Sequence, residues 1–101
     1  MKYQLARSRA GHDKDRIYVC YDSGDADVLL FDGRLRLCGH PKKKRRTHIQ
    51  PIRSFPEDVQ KELEQLPPPE ELFSGNRSAG LQDNDNLHAK RALKLYQMRG
   101  K

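Results

Sequence analysis

The residues of this sequence best suited to chemistry are clustered cations, and the chemistry they favour is the binding of phosphate groups. Five consecutive Lys and Arg residues occupy positions 42–46, and Arg34 and Arg36 precede them. Arginine offers a planar fork of donors that matches phosphate oxygens, whereas lysine acts as a point charge. We expect a continuous cationic strip, with a flexible basic segment leading away from a strand. A solvated charge run that aids solubility, or a targeting signal in a nucleated cell, is the competing interpretation.

A second cationic group lies in the polar segment 8–16. Gly11 allows the backbone to turn sharply there, and Lys14 and Arg16 would then project from the tip of a loop beside a rigid strand. These cations would fix the protein on a phosphate backbone without reading its sequence. An ordinary solvated turn has a similar composition and stays open as the alternative.

Residue types that could catalyse a reaction or bind a metal ion are present, but no spacing links them. Cys38 and His40 are too close in sequence for the paired spacing that structural zinc ligands show. Cys20 lies in an apolar segment, which suits a buried thiol better than a nucleophile. We therefore predict no enzyme activity, no metal site and no cofactor. Both cysteines are expected to be reduced thiols rather than a disulfide.

The positive charge is confined to one half of the chain. Residues 1–55 carry 13 Lys and Arg against 6 Asp, a net charge of +7, whereas the remaining 46 residues have a net charge of −1. A surplus of this kind attracts polyanions over a Debye length of roughly 10 Å. Nucleic acid is the first partner to consider.

No apolar run approaches the ~18 residues of a membrane helix, and no signal peptide is evident, which favours a cytoplasmic protein without a membrane partner.

Short strand-like segments in the first half would position these cations. The expected strands are residues 3–9, Ile17–Tyr21, 28–31 and a last short one around 47–52. Asp32 and Gly33 form a strong hairpin signal, which predicts a further strand over 34–37. Tyr18, Tyr21 and Phe31 could stack on unpaired bases, although residues at strand spacing more often belong to the core. Short strands without room for crossover helices predict a small antiparallel barrel or meander.

The hydrophobic period changes to that of a helix at Ser54. Ser54 and Glu57 have the spacing of a capping box, and apolar residues then recur on one helical face as far as Leu66. Three prolines follow and end this helix. The polar composition of residues 70–86 predicts a mobile linker, and a second, marginal helix is expected over 87–98.

Three stretches carry a resemblance to a known family: residues 8–16, residues 32–36, and residues 41–44 with His48 following. They resemble the KOW-motif family, small SH3-like barrels of ribosomal proteins and transcription elongation factors. The closer likeness is to short KOW-domain RNA-binding proteins of Gram-positive bacteria, which are similar to KOW domains of archaeal and eukaryotic large-subunit ribosomal proteins. The resemblance covers residues 5–52, half of the chain. One residue departs from the family pattern: Asp15 stands where a glycine is usual.

Together with the helical patterns, the resemblance implies a mainly β chain. We expect an SH3-like, KOW-type antiparallel barrel over 1–54 that includes the basic segment 41–48, a helix over 55–66 on or near it, and a linker with a partly helical, mobile tail over 67–101. The resemblance also implies binding to RNA, with ribosomal RNA or the ribosome as the expected partner. The residues expected to contact RNA are Arg9, Lys14, Arg16, Arg34, Arg36, Lys42, Lys43, Lys44, Arg45, Arg46 and His48.

A protein-interaction module of the transcription or translation machinery is the competing functional hypothesis. SH3-like barrels also present protein-binding surfaces, and the acidic segment 57–71 with the terminal helix could dock a partner. Lys90, Arg91, Lys94 and Arg99 would let that helix contact either a protein or RNA. The two hypotheses differ in salt dependence, because affinity for nucleic acid falls steeply as salt releases counterions.

Overall fold

The computed structural model describes residues 3–12 and 14–99, with the backbone alone at Arg99. The strands are β1 (Tyr3–Ser8), β2 (Ile17–Tyr21), β3 (Asp27–Phe31), β4 (Lys42–Arg45) and β5 (Ile49–Ile52). The helices are α1 (Glu57–Glu64), α2 (Pro69–Leu72) and α3 (Ala79–Arg99). All strands join one antiparallel sheet in the order β4-β3-β2-β1-β5. The fold is therefore α+β rather than mainly β, with the sheet first and the helices after it.

The expected strand over 34–37 is wrong, because the chain forms a closed loop there. The Asp32 carboxylate accepts hydrogen bonds from the backbone amides of Arg34 and Arg36 at 2.8 and 2.9 Å. The amides of Asp32 and Gly33 in turn donate to the Arg36 carbonyl at 2.9 and 3.0 Å. These bonds engage the backbone amides and the carbonyl that would otherwise pair with a neighbouring strand. The partner of β3 is instead the basic run, with Leu30 opposite Lys42.

Both faces of the sheet are buried, and each supports its own apolar cluster. One face, with Leu5, Val19 and Phe31, packs against side chains of all three helices. The other face holds a separate cluster that contains no helical residue, so the sheet itself curls over it. The members of this second cluster are Ala6, Tyr18, Cys20, Val28, Leu30 and Ile49.

The expected closure into a barrel is wrong, since the described strands leave the sheet open between β4 and β5. A 3₁₀ turn, Arg46–His48, joins these two edge strands. Its first amide donates to the Ala26 carbonyl at 2.8 Å, and its last carbonyl accepts from the Arg9 amide at 2.8 Å. The turn is thereby tied to both sides of the sheet, where a closed barrel would have a β4–β5 ladder.

The first helix begins later than the capping pattern predicts. Pro56 is the N-cap of α1, its side chain offers no capping bond, and Ser54 lies outside the helix. Glu57 and Asp58 in the first turn complement the positive end of the helix dipole instead. The predicted apolar stripe is confirmed, because Val59 and Leu63 are fully buried.

The helix expected over 87–98 is confirmed and belongs to α3, which begins earlier, at Ala79. The segment expected to be a linker contains α2 and the start of α3, and it packs against the rest of the chain. Leu72 is buried beside Phe73, whose ring lies 5.9 Å from that of Phe31 between centroids. The Arg77 guanidinium then pairs with Asp85, whose side chain is 2% exposed, with Nε–Oδ2 and Nη2–Oδ1 distances of 2.5 and 3.2 Å. Because their charges are paired, Arg77 and Asp85 can lie in the interior, where an unpaired charge would be strongly disfavoured.

The last helix runs for 21 residues and packs along α1. His88 Nδ1 lies 2.8 Å from Glu62 Oε1 and links the two helices, while Ala89 and Ala92 are fully buried. None of the helices that the structure describes is long and apolar enough to span a membrane.

Candidate nucleic-acid interface

The loop that carries Arg34 and Arg36 is held against α3. Gly33 is buried with φ +78°, and its Cα faces the backbone carbonyl of Asn86 so closely that a Cβ would overlap it. Further along the loop, the Cys38 amide donates to Asn86 Oδ1 at 2.8 Å. Two separate contacts to one residue of α3 therefore fix the position from which both arginines project.

The β1–β2 loop is closed by its own backbone and presents its cations to solvent. The Ser8 amide donates to the Arg16 carbonyl at 2.9 Å, and the Asp15 amide donates to the Ser8 carbonyl at 2.8 Å. Arg7 Nη1 also donates to the Asp15 carbonyl at 3.2 Å. Asp13 lies outside the described residues. Lys14 and Arg16 are exposed, as expected for cations of a loop tip.

Asp15 adopts the backbone conformation that favours glycine. Its φ of +72° is the one positive value among the non-glycine residues described. The left-handed region costs roughly 1–2 kcal/mol for a residue with a Cβ, although Asp tolerates it better than most. Glycine would adopt this φ without that cost.

Replacing Asp15 with glycine is expected to stabilise the protein by about 0.5–1 kcal/mol, since glycine adopts this φ without the steric cost. Urea unfolding of the full chain measures the change. Asp25→Gly is the control, because Asp25 is also an exposed loop aspartate but has no positive φ. It should be destabilising, since it also removes the hydrogen bond that Ser23 Oγ donates to the Asp25 carboxylate at 3.0 Å. If Asp15→Gly destabilises the protein as much as the control does, the carboxylate itself must stabilise the loop.

These two loops and α3 enclose a groove of about 820 Å³. Cations reach it from three segments distant in sequence: Arg16, Arg34, Lys90 and Lys94. All four residues are exposed, and within residues 3–12 and 14–99 no hydrogen bond or ion pair engages their side chains. We call this surface the cationic groove.

The rest of the groove lining is partly acidic and partly apolar. Asp15 and Asp32 line it, but the Asp32 carboxylate is engaged by the amides of its own loop. Ile17, Leu35 and Leu93 supply the apolar surface. The groove therefore combines a surplus of positive charge with side chains that can cover an apolar group.

The basic run is not a flexible segment but the edge strand β4, and its side chains alternate between two faces. Lys42 and Lys44 point to the same face as Leu30 and Val28, their partners in β3, and both are half-buried. Lys44 Nζ donates to the Ala10 carbonyl at 2.7 Å. The residues that alternate with them, Lys43 and Arg45, are exposed on the opposite face. Lysines on an edge strand also discourage pairing with another chain, which gives this run a structural role of its own.

The last arginine of the run holds the β2–β3 turn. The Arg46 guanidinium donates to both carboxylate oxygens of Asp22, with an Nη2–Oδ1 distance of 2.5 Å, and its Nε donates to the Asp25 carbonyl at 3.0 Å. These hydrogen bonds hold the pKa of Asp22 below its ordinary value. With its donors engaged, Arg46 contributes little to a phosphate site, and we leave it out of the proposed interface.

The expected continuous strip is therefore divided into separate surfaces. Arg16 and Arg34 meet in the cationic groove, while Lys43 and Arg45 lie on the edge strand. Arg9 and His48 are exposed next to each other at the 3₁₀ turn, where their backbones are bonded, and Arg36 and Lys14 are exposed beside the groove without lining it.

The groove also contains two cations of the terminal helix, for which contact with RNA was only one of two alternatives. Lys90 and Lys94 are one turn apart on α3 and so share a face. Their spacing shows this in the sequence, but nothing there indicates that the face lies beside Arg16 and Arg34. The side chain of Arg99, expected to act with them, is not among those described.

The cysteines offer no nucleophile. Both are free and buried, Cys20 in the cluster beneath the curled sheet and Cys38 in the cluster beneath the helices. Burial raises the pKa of each thiol to about 12, so neither is ionised near neutral pH. In the part of the chain that the structure describes, no group of three or more potential ligands could hold a metal ion.

Comparison with known proteins adds no relative from which a role could be transferred. The sequence matches no protein-family model and no curated protein. The functional argument therefore rests on the geometry and charge of the residues above.

Proposed function

We propose that this protein binds RNA, with ribosomal RNA or the ribosome as its target, and that the cationic groove is the centre of the contact. The observation that carries the proposal is the convergence of four cations on one concave surface, where the described residues give their side chains no partner. Arg36 and Lys14 at its margin, and Lys43 and Arg45 on the edge strand, would extend the contact.

Electrostatics supports a polyanionic partner. Like charges brought together on a folded surface repel each other, and a surface with this surplus attracts anions within about 10 Å at ordinary ionic strength. The groove is also preorganised, because the Gly33 loop is fixed on α3 and the β1–β2 loop is closed by backbone bonds. Binding would therefore order little backbone, which lowers its entropic cost.

The arrangement of the strands is consistent with the KOW-type relationship that we propose for residues 5–52. Five short antiparallel strands occur, and β5 returns beside β1 after a short turn. An SH3-like barrel left open between its fourth and fifth strands would have this arrangement. That relationship is what favours RNA over DNA, since the charges alone would suit either polymer.

Sedimentation of a cell lysate through sucrose gradients, with the protein detected by immunoblot, tests the proposal. We expect cosedimentation with the large subunit or 70S particles at low salt and its loss at high salt. With purified ribosomal RNA, log affinity should fall against log salt with a slope of about −3 if four phosphates are neutralised. A protein that stays at the top of the gradient at low salt, or a salt-insensitive association, would contradict the proposal. The second result would instead favour docking to a protein.

A further inference from the structure

We propose that the cationic groove takes an unpaired stretch of RNA in preference to a duplex. This inference rests on the proposed RNA-binding function and specifies what the groove recognises. Its support comes from the shape of the groove, its exposed apolar residue, and the division of its cations into arginines and lysines.

The shape of the groove suits an unpaired nucleotide. Its volume of about 820 Å³ falls within the range of roughly 300–1,000 Å³ that is typical of sites for small ligands. An RNA duplex presents a convex surface of phosphates and sugars, with its bases stacked inside. Only a splayed base from a loop, bulge or end can enter a concave site of this size.

The exposed apolar lining points to a base rather than to phosphates alone. Leu35 is 69% exposed on the loop that α3 holds in place, and it lines the groove beside Ile17 and Leu93. A phosphate backbone would gain nothing from an apolar side chain. The face of an unpaired base would cover Leu35 and remove its apolar surface from water.

The groove cations divide into two chemical types on different elements. Arg16 and Arg34, from the two loops, carry planar guanidinium groups that can stack on bases as well as bind phosphates. Lys90 and Lys94, one turn apart on α3, carry point charges suited to successive phosphates. The aromatic residues that could have stacked on bases pack in the core instead. Tyr18 and Phe31 are almost fully buried, and Tyr21 is half-buried against the rings of Tyr3 and Phe73. Arginine planes and Leu35 therefore supply the surface for bases.

Fluorescence anisotropy with the full chain tests this inference. The probes are a labelled single-stranded RNA of 12 nucleotides and mixed sequence, and the same strand annealed to its complement. We expect the single strand to bind at least about tenfold more tightly than the duplex. Arg34→Lys keeps the charge but removes the planar group, and it should weaken single-strand binding about fivefold with less than about a twofold effect on the duplex.

Arg36→Lys is the matched control, because Arg36 belongs to the same loop and is exposed but does not line the groove. It should leave both affinities unchanged.

A second pair of variants tests the apolar contact: Leu35→Ser should weaken single-strand binding about fivefold. Leu81→Ser, an exposed leucine of α3 outside the groove, should have no effect.

Equal affinity for the two RNAs would overturn the inference, and so would equal effects of Arg34→Lys and Arg36→Lys. If RNA binding still depended on salt, the proposed function would stand. Displacement of the single strand by polyglutamate at the same charge concentration would also overturn the inference, because the groove would then recognise charge alone. Failure of both RNAs to bind at any salt concentration would overturn the proposed function itself.

Discussion

Gly33→Ala is expected to destabilise the protein by about 2–5 kcal/mol, the largest effect of any single methyl group that we can identify. Alanine at φ +78° costs roughly 1–2 kcal/mol. The added Cβ would also overlap the backbone carbonyl of Asn86 in α3, and forcing an extra carbon into a packed site typically costs about 1–3 kcal/mol more. Domains of this size have a total stability of roughly 5–15 kcal/mol, so much of it would be lost.

The contact is costly because the neighbour is helix backbone. A flexible side chain could turn away from the new methyl group, but the Asn86 carbonyl moves only if α3 or the loop moves with it. Such a shift would also disturb the bond from the Cys38 amide to Asn86 Oδ1. The loop with Arg34 would then lose both of the contacts that position it on α3.

Gly24→Ala separates the two contributions. Gly24 also has a positive φ, +96°, but nothing lies within 4 Å of the position that its Cβ would take. Its replacement should therefore cost only about 1–2 kcal/mol. Urea unfolding of both variants measures the difference between their free energies of unfolding. If Gly33→Ala costs no more than Gly24→Ala, the close approach of the loop to α3 is not what stabilises this region.

The strands that depend on local patterns were predictable from the sequence. Ile17–Tyr21 forms β2 with the expected bounds, and the expected strand over 28–31 differs from β3 by one residue. β-Branched and aromatic residues bounded by turn residues carry enough local information for this. Local patterns wrongly predicted a strand over 34–37. The Asp32 carboxylate accepts hydrogen bonds from backbone amides there, and these bonds compete with pairing to a neighbouring strand.

The helical region was harder to predict, because its order depends on contacts between residues distant in sequence or on paired charges. Residues 70–86 have the composition of a linker, yet the buried pair of Arg77 with Asp85 and the packing of Leu72 make this segment part of the fold. The amphipathic stripe of α1 was visible, since it needs only periodicity. The helix expected over 87–98 lies within α3, but periodicity indicated neither its start at Ala79 nor its packing against α1.

The candidate site was predictable in its residue types and not in its assembly. Cations in the two loops were identified individually, but Lys90 follows Arg34 by more than fifty residues and reaches the groove only because Asn86 packs on the Gly33 loop. Arg46 shows the opposite case. It belongs to the most basic run of the sequence, yet Asp22 from a distant turn engages it.

Reversing the two lysines of the groove is expected to abolish most RNA binding. The double variant Lys90→Glu, Lys94→Glu should weaken affinity for ribosomal RNA about 100-fold at moderate salt, because two attractions to phosphate become repulsions at close range. The slope of log affinity against log salt should also fall in magnitude by about 1.5, because each lysine lost removes one phosphate contact. Glutamate keeps the β- and γ-carbons of Lys90 beside Gly33, and both positions are exposed, so the fold should be retained.

The matched control is Lys61→Glu, Arg91→Glu, which changes the net charge by the same amount. Both residues are exposed on helices and lie outside the groove. Lys61 has only a weak, solvent-exposed ion pair with Glu57, at 3.8 Å. This control should weaken binding by no more than about threefold, through the long-range field alone. Equal losses in the two double variants would show that overall charge, rather than the cationic groove, determines the affinity. A loss confined to the lysine pair of the groove would place the phosphate contact on α3, which the basic run in the sequence did not indicate.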